Sequence, residues 1–472
     1  MNSAPNFTPL TKALLTIGLA TAAGLCAADQ YEAEDHTPSG AATWCADRCD
    51  VVITDWSLTA FRVIKAADGY QNPLTATHSM AMMHLAMHDA ANAARPRYQR
   101  YALAAQSAIS ATTAMASASK ADAAVAAATA AHDLLAVLYP QPQVAALLEA
   151  ELEKTLIEAG VGPEIAAGRE LGKAAAAAVL AKRANDGSAG NETYVEGTQP
   201  GQYRFTPPFN FVLAPHWRQV TPFALASASQ FRTATAPALT SEPYRRDFDE
   251  VKRVGGKAAG AQRSSDETHY AAFWYEFADI GWNRIARASS SRVKQDLWER
   301  ARTFALLNAA MADAYIAGWD SKFQHNFWRP VTAIHLAGND GNPNTAPDAG
   351  FDSFLTAPPV PDLPSTHSVL GMAAATVLAQ AFGRDHVPFS FASSSAMPAN
   401  PVRSFRSFSE AARENADSRV KAGLHFRFAT TAGLEMGRQI GQYVTRNALP
   451  RQYGAATQDD ESHAENLNGP PP

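Results

Sequence analysis

Between residues 102 and 186 the chain is dominated by alanine. The runs Ala121–Leu138, Val144–Ala159 and Glu164–Arg183 contain few breakers, and alanine has the highest intrinsic helix propensity. Tyr139-Pro140 and Gly160-Val161-Gly162-Pro163 punctuate them. Such a stretch builds packed helices and little else, so it reads as structural. From Leu74 to Ala94, Met80, Met83, His84, Met87, His88 and Ala91 recur at helical spacings. Residues 264–320 read as helical again, with Phe304, Leu307, Met311 and Tyr315 along one apolar face. Ser368–Phe382 reads as a helix stopped by Gly383, and Gly433–Leu449 as the last one. No repeat and no strong strand signal interrupts these patterns, so the predicted fold class is all-α.

Irregular segments lie between the helices. Residues 186–263 are rich in Gly, Pro, Thr and aromatics, as in Pro200-Gly201-Gln202-Tyr203-Arg204 and Pro215-His216-Trp217. Loops this long are usually functional, and this one is placed at a pocket mouth. A second loop, residues 339–363, delivers the chain to Ser365. The expected layout is a signal segment at 1–28, an acidic arm at 29–50 and an N-terminal helical part at 51–263. A C-terminal helical bundle follows at 264–450, then a disordered tail at 451–472.

The chain has 472 residues, 46% hydrophobic and 18% charged, which suits one large or two smaller soluble domains. Its 40 Lys+Arg against 45 Asp+Glu give a net charge of −5, and the missing basic surplus argues against a nucleic-acid partner. Lys12, the apolar run Ala13–Leu25 and the small residues of Cys26-Ala27-Ala28 read as a cleavable secretory signal. The apolar run is short for a membrane span, so the predicted location is periplasmic or secreted, without stable membrane insertion. Cys45 and Cys49 then remain, either as a small disulfide loop or as two free thiols.

The candidate chemistry lies in three blocks. Lys322 and Arg329 flank six residues and Pro330 follows; next come Pro364-Ser365-Thr366-His367, and then Ser418-Arg419 with His425. Two unit charges about 4 Å apart repel by roughly 4 kcal/mol at an effective dielectric of about 20. Lys322, Arg329 and Arg419 can therefore share a cleft only around something negative. Arginine's planar fork binds two oxygens at once, and lysine acts as a point charge. Ser365-Thr366-His367 opens a helix, where free N–H groups and the helix dipole favour an anion. The set is a design for a tetrahedral oxyanion. His84 and His88, one turn apart beside Asp89, lack a third ligand and read as core histidines rather than a metal site.

The pattern Lys-x6-Arg-Pro, Pro-Ser-x-His, Ser-Arg-x5-His resembles the vanadium-dependent haloperoxidases, which share a superfamily with type 2 phosphatidic acid phosphatases and bacterial acid phosphatases. Met82–Asn92 and the neighbourhoods of Pro200-Gly201 and Ala214–Trp217 extend the likeness over roughly 50–447. The resemblance implies two helical bundles joined by long irregular loops, with the oxyanion pocket in the core of the C-terminal one. It implies vanadate, or phosphate in the same pocket, held by Lys322, Arg329, Arg419, Ser365 and the Thr366 N–H. His425 would bind vanadium and His367 would be the acid–base partner, with Lys322 polarising the oxidant. The implied reaction is oxidation of halide by hydrogen peroxide to hypohalous acid, which passes to a small organic acceptor. A homodimer is left open.

Three positions depart from the family pattern. Thr366 stands where Gly is usual, and a β-branched residue resists positive φ. Ala429 stands where many members carry an Asp four residues after the histidine, so His425 needs another acceptor. Val360, seven before His367, replaces the Phe or His linked to halide choice. Two other functions fit the same residues. An acid phosphatase would use His425 as nucleophile and His367 as general acid, through a phosphohistidine. A non-catalytic anion-binding scaffold would use the pocket alone. Asp313 is a candidate partner for a site cation, Trp328 a wall residue, and His325, His335 and His386 bystanders.

Overall fold

The computed structural model describes residues 51–104, 122–258, 260–395 and 401–452. The signal segment, the arm with Cys45 and Cys49, and the tail beyond residue 452 lie outside the described residues. The chain opens with α1 (Val52–Ala66) and α2 (Pro73–Ala94). Asn72 caps α2 by accepting the N–H groups of Leu74 and Thr75, and Pro73 fills the first helical position. The alanine-rich runs form α3 (Ala123–Leu138), α4 (Pro142–Ala159) and α5 (Pro163–Arg183). Small residues bring α3 and α5 together: a Cβ on Gly172 would lie 2.6 Å from Thr129 Cβ.

The middle of the chain corrects two expectations. Residues 186–263 are not irregular throughout, because α6 (Glu242–Val254) follows the Ser241 cap. Its buried face, Tyr244, Phe248 and Val251, has helical spacing, but Arg, Asp and Glu surround it in sequence. Residues 264–320 are not one helical stretch but α7 (Ser265–Phe273), α8 (Ala278–Ser290) and α9 (Leu297–His325). Capping boxes at Ser264 and Asp296 restart the helix at α7 and α9.

There follow α10 (Pro330–His335), α11 (Thr366–Ala381), α12 (Phe408–Lys421) and α13 (Arg427–Asn447). The last helix starts at Arg427 rather than Gly433, through the poor helix formers Thr430 and Thr431, since packing on α11 outweighs propensity. Between α11 and α12 lies a hairpin of β1 (Phe389–Ala392) and β2 (Val402–Phe405), paired Phe389 to Phe405. No strand was expected, yet Phe389, Phe391 and Phe405 alternate with polar residues and pack on Phe273 and Trp274. Among the described residues the fold is all-α apart from this hairpin.

Helix α9 is the spine. It packs along α2 on one side and α11 on the other within the largest core cluster, and a second cluster, with Tyr244, Phe327, Trp328, Leu363 and Phe426, lies beside the site loops. A buried aspartate on each of two helices gathers a loop by three backbone N–H groups. Asp89 on α2 accepts from Tyr101, Ala102 and Leu103 at 2.6–2.9 Å. Asp313 on α9 accepts from Phe223, Ala224 and Leu225 at 2.6–2.9 Å. Asp313 is therefore committed to this loop, and the proposed pairing with a site cation is not what the structure holds. No helix among the described residues is long and apolar enough to cross a membrane.

His84 and His88 are core residues, as read. His88 Nε2 donates to Gln99 O at 3.1 Å, whereas neither nitrogen of His84 has a hydrogen-bond partner among the described residues. Burial, then the charge of Arg287, lowers the His84 pKa to about 3. An unfolded histidine takes a proton near 6.5, so its protonation favours the unfolded chain as pH falls from 6.5 towards 3. His84→Leu should leave stability at pH 8 little changed. At pH 4 the variant should be more resistant than the parent by about 3 kcal/mol in denaturant melts.

Candidate active site

Lys322 lies in the last turn of α9, which ends at Asn326 in the left-handed region, φ 48°. Asparagine tolerates that conformation better than most residues. The chain reverses there, and Arg329 immediately precedes α10. The irregular segment before α6 clamps this reversal. Tyr203 N–H donates to Asn326 O (2.8 Å), Tyr194 Oη–H to Asn326 Oδ1 (2.7 Å), and Trp328 N–H to Gly201 O (2.9 Å). Leu213 N–H donates to Pro359 O at 3.0 Å, tying the same segment to the loop before α11. The long Pro/Gly-rich stretch thus braces two site-bearing loops.

The loop before α11 collects the cations. Arg329 Nε donates to Val360 O at 2.7 Å. Lys322 Nζ donates to Pro361 O (2.7 Å), Asp362 O (3.1 Å) and Pro364 O (2.7 Å). Those carbonyls engage all three ammonium hydrogens, so Lys322 here offers charge rather than a free donor. Burial, then Arg329, lowers its pKa well below the usual lysine value.

Ser365 occupies the N-cap of α11, but its hydroxyl caps nothing and has no partner among the described residues. Ser241, Ser264 and Ser407, at other helix starts, each accept an N–H of the first turn. A free buried hydroxyl beside free first-turn N–H groups is an arrangement that suits an anion. The Ser365 N–H donates to Ala429 O at 3.0 Å. Thr366 begins the helix without positive φ, so the expected backbone conflict does not arise. Its bulk is absorbed by Gly318 on α9, where a Cβ would stand 2.8 Å from Thr366 Cγ2.

Arg419, in the last turn of α12, is 1% exposed. One NH1 contact reaches Trp274 O at 3.4 Å, Nε has no partner among the described residues, and the guanidinium lies 5.8 Å from the Tyr275 ring centre. Burial brings its pKa down to about 10. It is the least committed of the three cations.

His425 is also buried. Arg329 NH1 lies 3.0 Å from its Nε2, and Asp362 Oδ1 lies 2.8 Å from its Nδ1. The carboxylate sits off the N–H direction, so this is a close approach rather than an aligned hydrogen bond. A guanidinium can only donate, which assigns the lone pair to Nε2 and the proton to Nδ1. Burial, then Arg329, Lys322, Arg419 and His367, holds the His425 pKa well below the ordinary value. His367 Nε2–H donates to Glu276 O at 3.1 Å, which leaves the lone pair on Nδ1. Its pKa is lowered by burial and then by Arg419. His367 is half-buried, unlike the other anion-facing residues.

The structure brings together all seven residues singled out from sequence and adds an eighth, Asp362. Burial raises the Asp362 pKa to about 7, against the opposing pull of Arg329 and Lys322. The available signal was a lone acid in the otherwise apolar loop Pro358–Pro364. The bystanders stay outside: His325 pairs with Thr233 O (3.0 Å), His335 with Phe351 O (2.7 Å), and His386 is exposed. Trp328 is fully buried beside Arg329, as a wall residue should be.

The residues fit a small tetrahedral oxyanion. Three buried cations face one buried carboxylate, and Ser365 Oγ and Arg419 Nε remain without partners among the described residues. Such groups are costly to bury unless a ligand completes them.

Known proteins share parts of this sequence and this fold. The family model for the vanadium chloroperoxidase N-terminal domain matches residues 53–215, and that for the second helical-bundle domain matches 302–451. Vanadium chloroperoxidase of Curvularia inaequalis is 27% identical over 295 residues, covering 48% of this chain and 48% of that protein. The alignment thus spans about half the length of that curated relative. A crystal structure described as the first bacterial vanadium-dependent iodoperoxidase superimposes with TM-score 0.70 at 27% identity, covering 85% of this chain and 98% of the other. A holo bacterial vanadium-dependent chloroperoxidase, at 18% identity and TM-score 0.61 over 80% of this chain and 93% of its own, shares the fold. The two family models together span about two thirds of the sequence, and the chain belongs to the vanadium-dependent haloperoxidase family.

Proposed function

We propose that this protein binds orthovanadate and oxidises halide with hydrogen peroxide, releasing hypohalous acid to a small organic acceptor. The observation that carries the reading is the meeting of Lys322, Arg329 and Arg419 with the uncommitted Ser365 hydroxyl and the Nε2 lone pair of His425. Arg419, Ser365 and the Thr366 N–H would hold oxygens of the anion, with Arg329 at its side and Lys322 supplying charge. His425 Nε2 would bind vanadium in place of its contact with Arg329 NH1. Bound vanadate supplies a Lewis acid that activates peroxide without changing oxidation state.

The chain's own part is placement and proton handling. Lys322 and Arg329 are fixed by backbone carbonyls before any reactant arrives, so charge that develops on oxygen meets cations already in position. His367 is neutral near pH 7, and its Nδ1 can take a proton from incoming peroxide. The anion-holding side chains are almost wholly buried, which suits small reactants better than a bulky phosphate ester. We also place the protein in the periplasm or outside the cell, on the strength of residues 1–28.

The test is incubation of purified protein with orthovanadate, peroxide and iodide, bromide or chloride, following halogenation of a phenol dye. Halogenation that disappears in His425→Ala, which should lose at least about 100-fold in activity with the loss of the metal ligand, supports the reading. Vanadate-inhibited hydrolysis of nitrophenyl phosphate without halogenation identifies a phosphatase instead. Silence in both assays leaves the anion-binding scaffold.

A further inference from the structure

We propose that Asp362 is the positioning residue for His425. It is a carboxylate delivered by the loop before α11 that, opposite Arg329, fixes which ring nitrogen faces the oxyanion, where the first turn of α13 offers no acid. This rests on the oxyanion-site reading and is independent of the halide chemistry.

The first support is contact: Asp362 Oδ1 lies 2.8 Å from His425 Nδ1, with both side chains buried. The second is the lack of a local alternative. Four residues after His425 the chain carries Ala429, whose side chain is apolar and whose carbonyl already accepts the Ser365 N–H. The first turn of α13, Arg427–Thr430, contains no carboxylate.

The third support is rigidity. The Asp362 N–H donates to Phe327 O at 2.8 Å, and its carbonyl accepts from Lys322 at 3.1 Å. Pro361 precedes it, and Pro364 follows two positions later. The backbone is pinned on both sides, which holds the carboxylate in place. The fourth is charge. Arg329 NH1 lies 3.7 Å from Oδ1, and the one carboxylate offsets one of three cations. The remaining surplus is left for the guest. With the proton on Nδ1, beside a carboxylate oxygen 2.8 Å away, Nε2 is left as the basic atom, the arrangement that makes an imidazole a good metal ligand.

A role as mere counter-ion to Arg329 is the rival, and the test separates the two. Calorimetry on the anion-free protein measures binding of orthovanadate and, in parallel, orthophosphate. Asp362→Asn keeps the size and the backbone contacts, and should weaken orthovanadate binding about 10- to 100-fold. Adding Ala429→Asp to that variant should recover most of the loss, because it returns an acid close to His425 in sequence, four residues on. Undiminished binding by Asp362→Asn, or no recovery in the double variant, overturns the proposal.

Nitrogen-15 spectra of histidine-labelled parent protein give a readout that needs no variant. His425 should carry its proton on Nδ1, and the opposite tautomer overturns the proposal even if Asp362→Asn fails to fold. Parent protein that binds orthovanadate and oxidises no halide would refute the haloperoxidase reading and leave this test intact. Parent protein that binds neither oxyanion refutes both.

Discussion

Arg419→Met is expected to abolish tight oxyanion binding while raising the melting temperature of the anion-free protein. The two effects have one cause. Arg419 is a buried cation whose Nε has no partner among the described residues and whose best-placed acceptor, Trp274 O, is 3.4 Å away. A charge taken from water with so little in return costs stability, and an unbranched apolar side chain of similar length can fill its place. The gain should be on the order of 1 kcal/mol. Orthovanadate affinity should fall by on the order of 100-fold or more, because one arm of a desolvated charge cluster is gone. Scanning calorimetry with and without orthovanadate reads both. The parent should melt higher with the anion, by mass action, and the variant should melt at the same temperature either way. A less stable variant that still binds the anion tightly would remove the argument that this guanidinium is held for a ligand.

Gly437→Ala should destabilise the fold by about 3 kcal/mol or more, in the range of severe overpacking. Gly433, Gly437 and Gly441 form one edge of α13 against α11. A Cβ on Gly437 would overlap the Val369 carbonyl oxygen and stand 3.0 Å from Ala373 N, both of them backbone atoms that cannot swing aside. Alanine in place of glycine within an exposed helix would instead stabilise by about 1 kcal/mol, so the sign alone is diagnostic. Gly433 has the same role nearer the site, where a Cβ would lie 2.6 Å from Ser365 O. Urea melts check the first substitution, and unchanged stability would mean that the two helices do not pack this closely.

The cation blocks were legible because their chemistry is written into residue types at fixed spacing, and Ser365 and Thr366 because a helix start follows them. The helices were legible wherever alanine or a regular apolar face set the pattern. What stayed hidden was pairing across distance. Asp362 serves His425, sixty-three positions later, and nothing local announces that partnership. Thr366 looked like a conflict until Gly318, on another helix, supplied the space. Asp313 looked like a site acid because it lies on the helix that carries Lys322. It instead closes the Phe223–Leu225 loop, the same device as Asp89 at Tyr101–Leu103. The hairpin was missed because four-residue strands carry too few alternations to stand out, and α6 because charge masked its apolar face.

The loop before α11 has one further consequence. Val360 moors Arg329 through its carbonyl oxygen, and Pro361, Asp362 and Pro364 moor Lys322 through theirs. Any residue has that oxygen. The side chain at 360 can therefore be exchanged for a larger or more polar one without cutting the guanidinium loose. The electrostatic frame thus depends on the backbone of this loop and not on which side chain stands at 360.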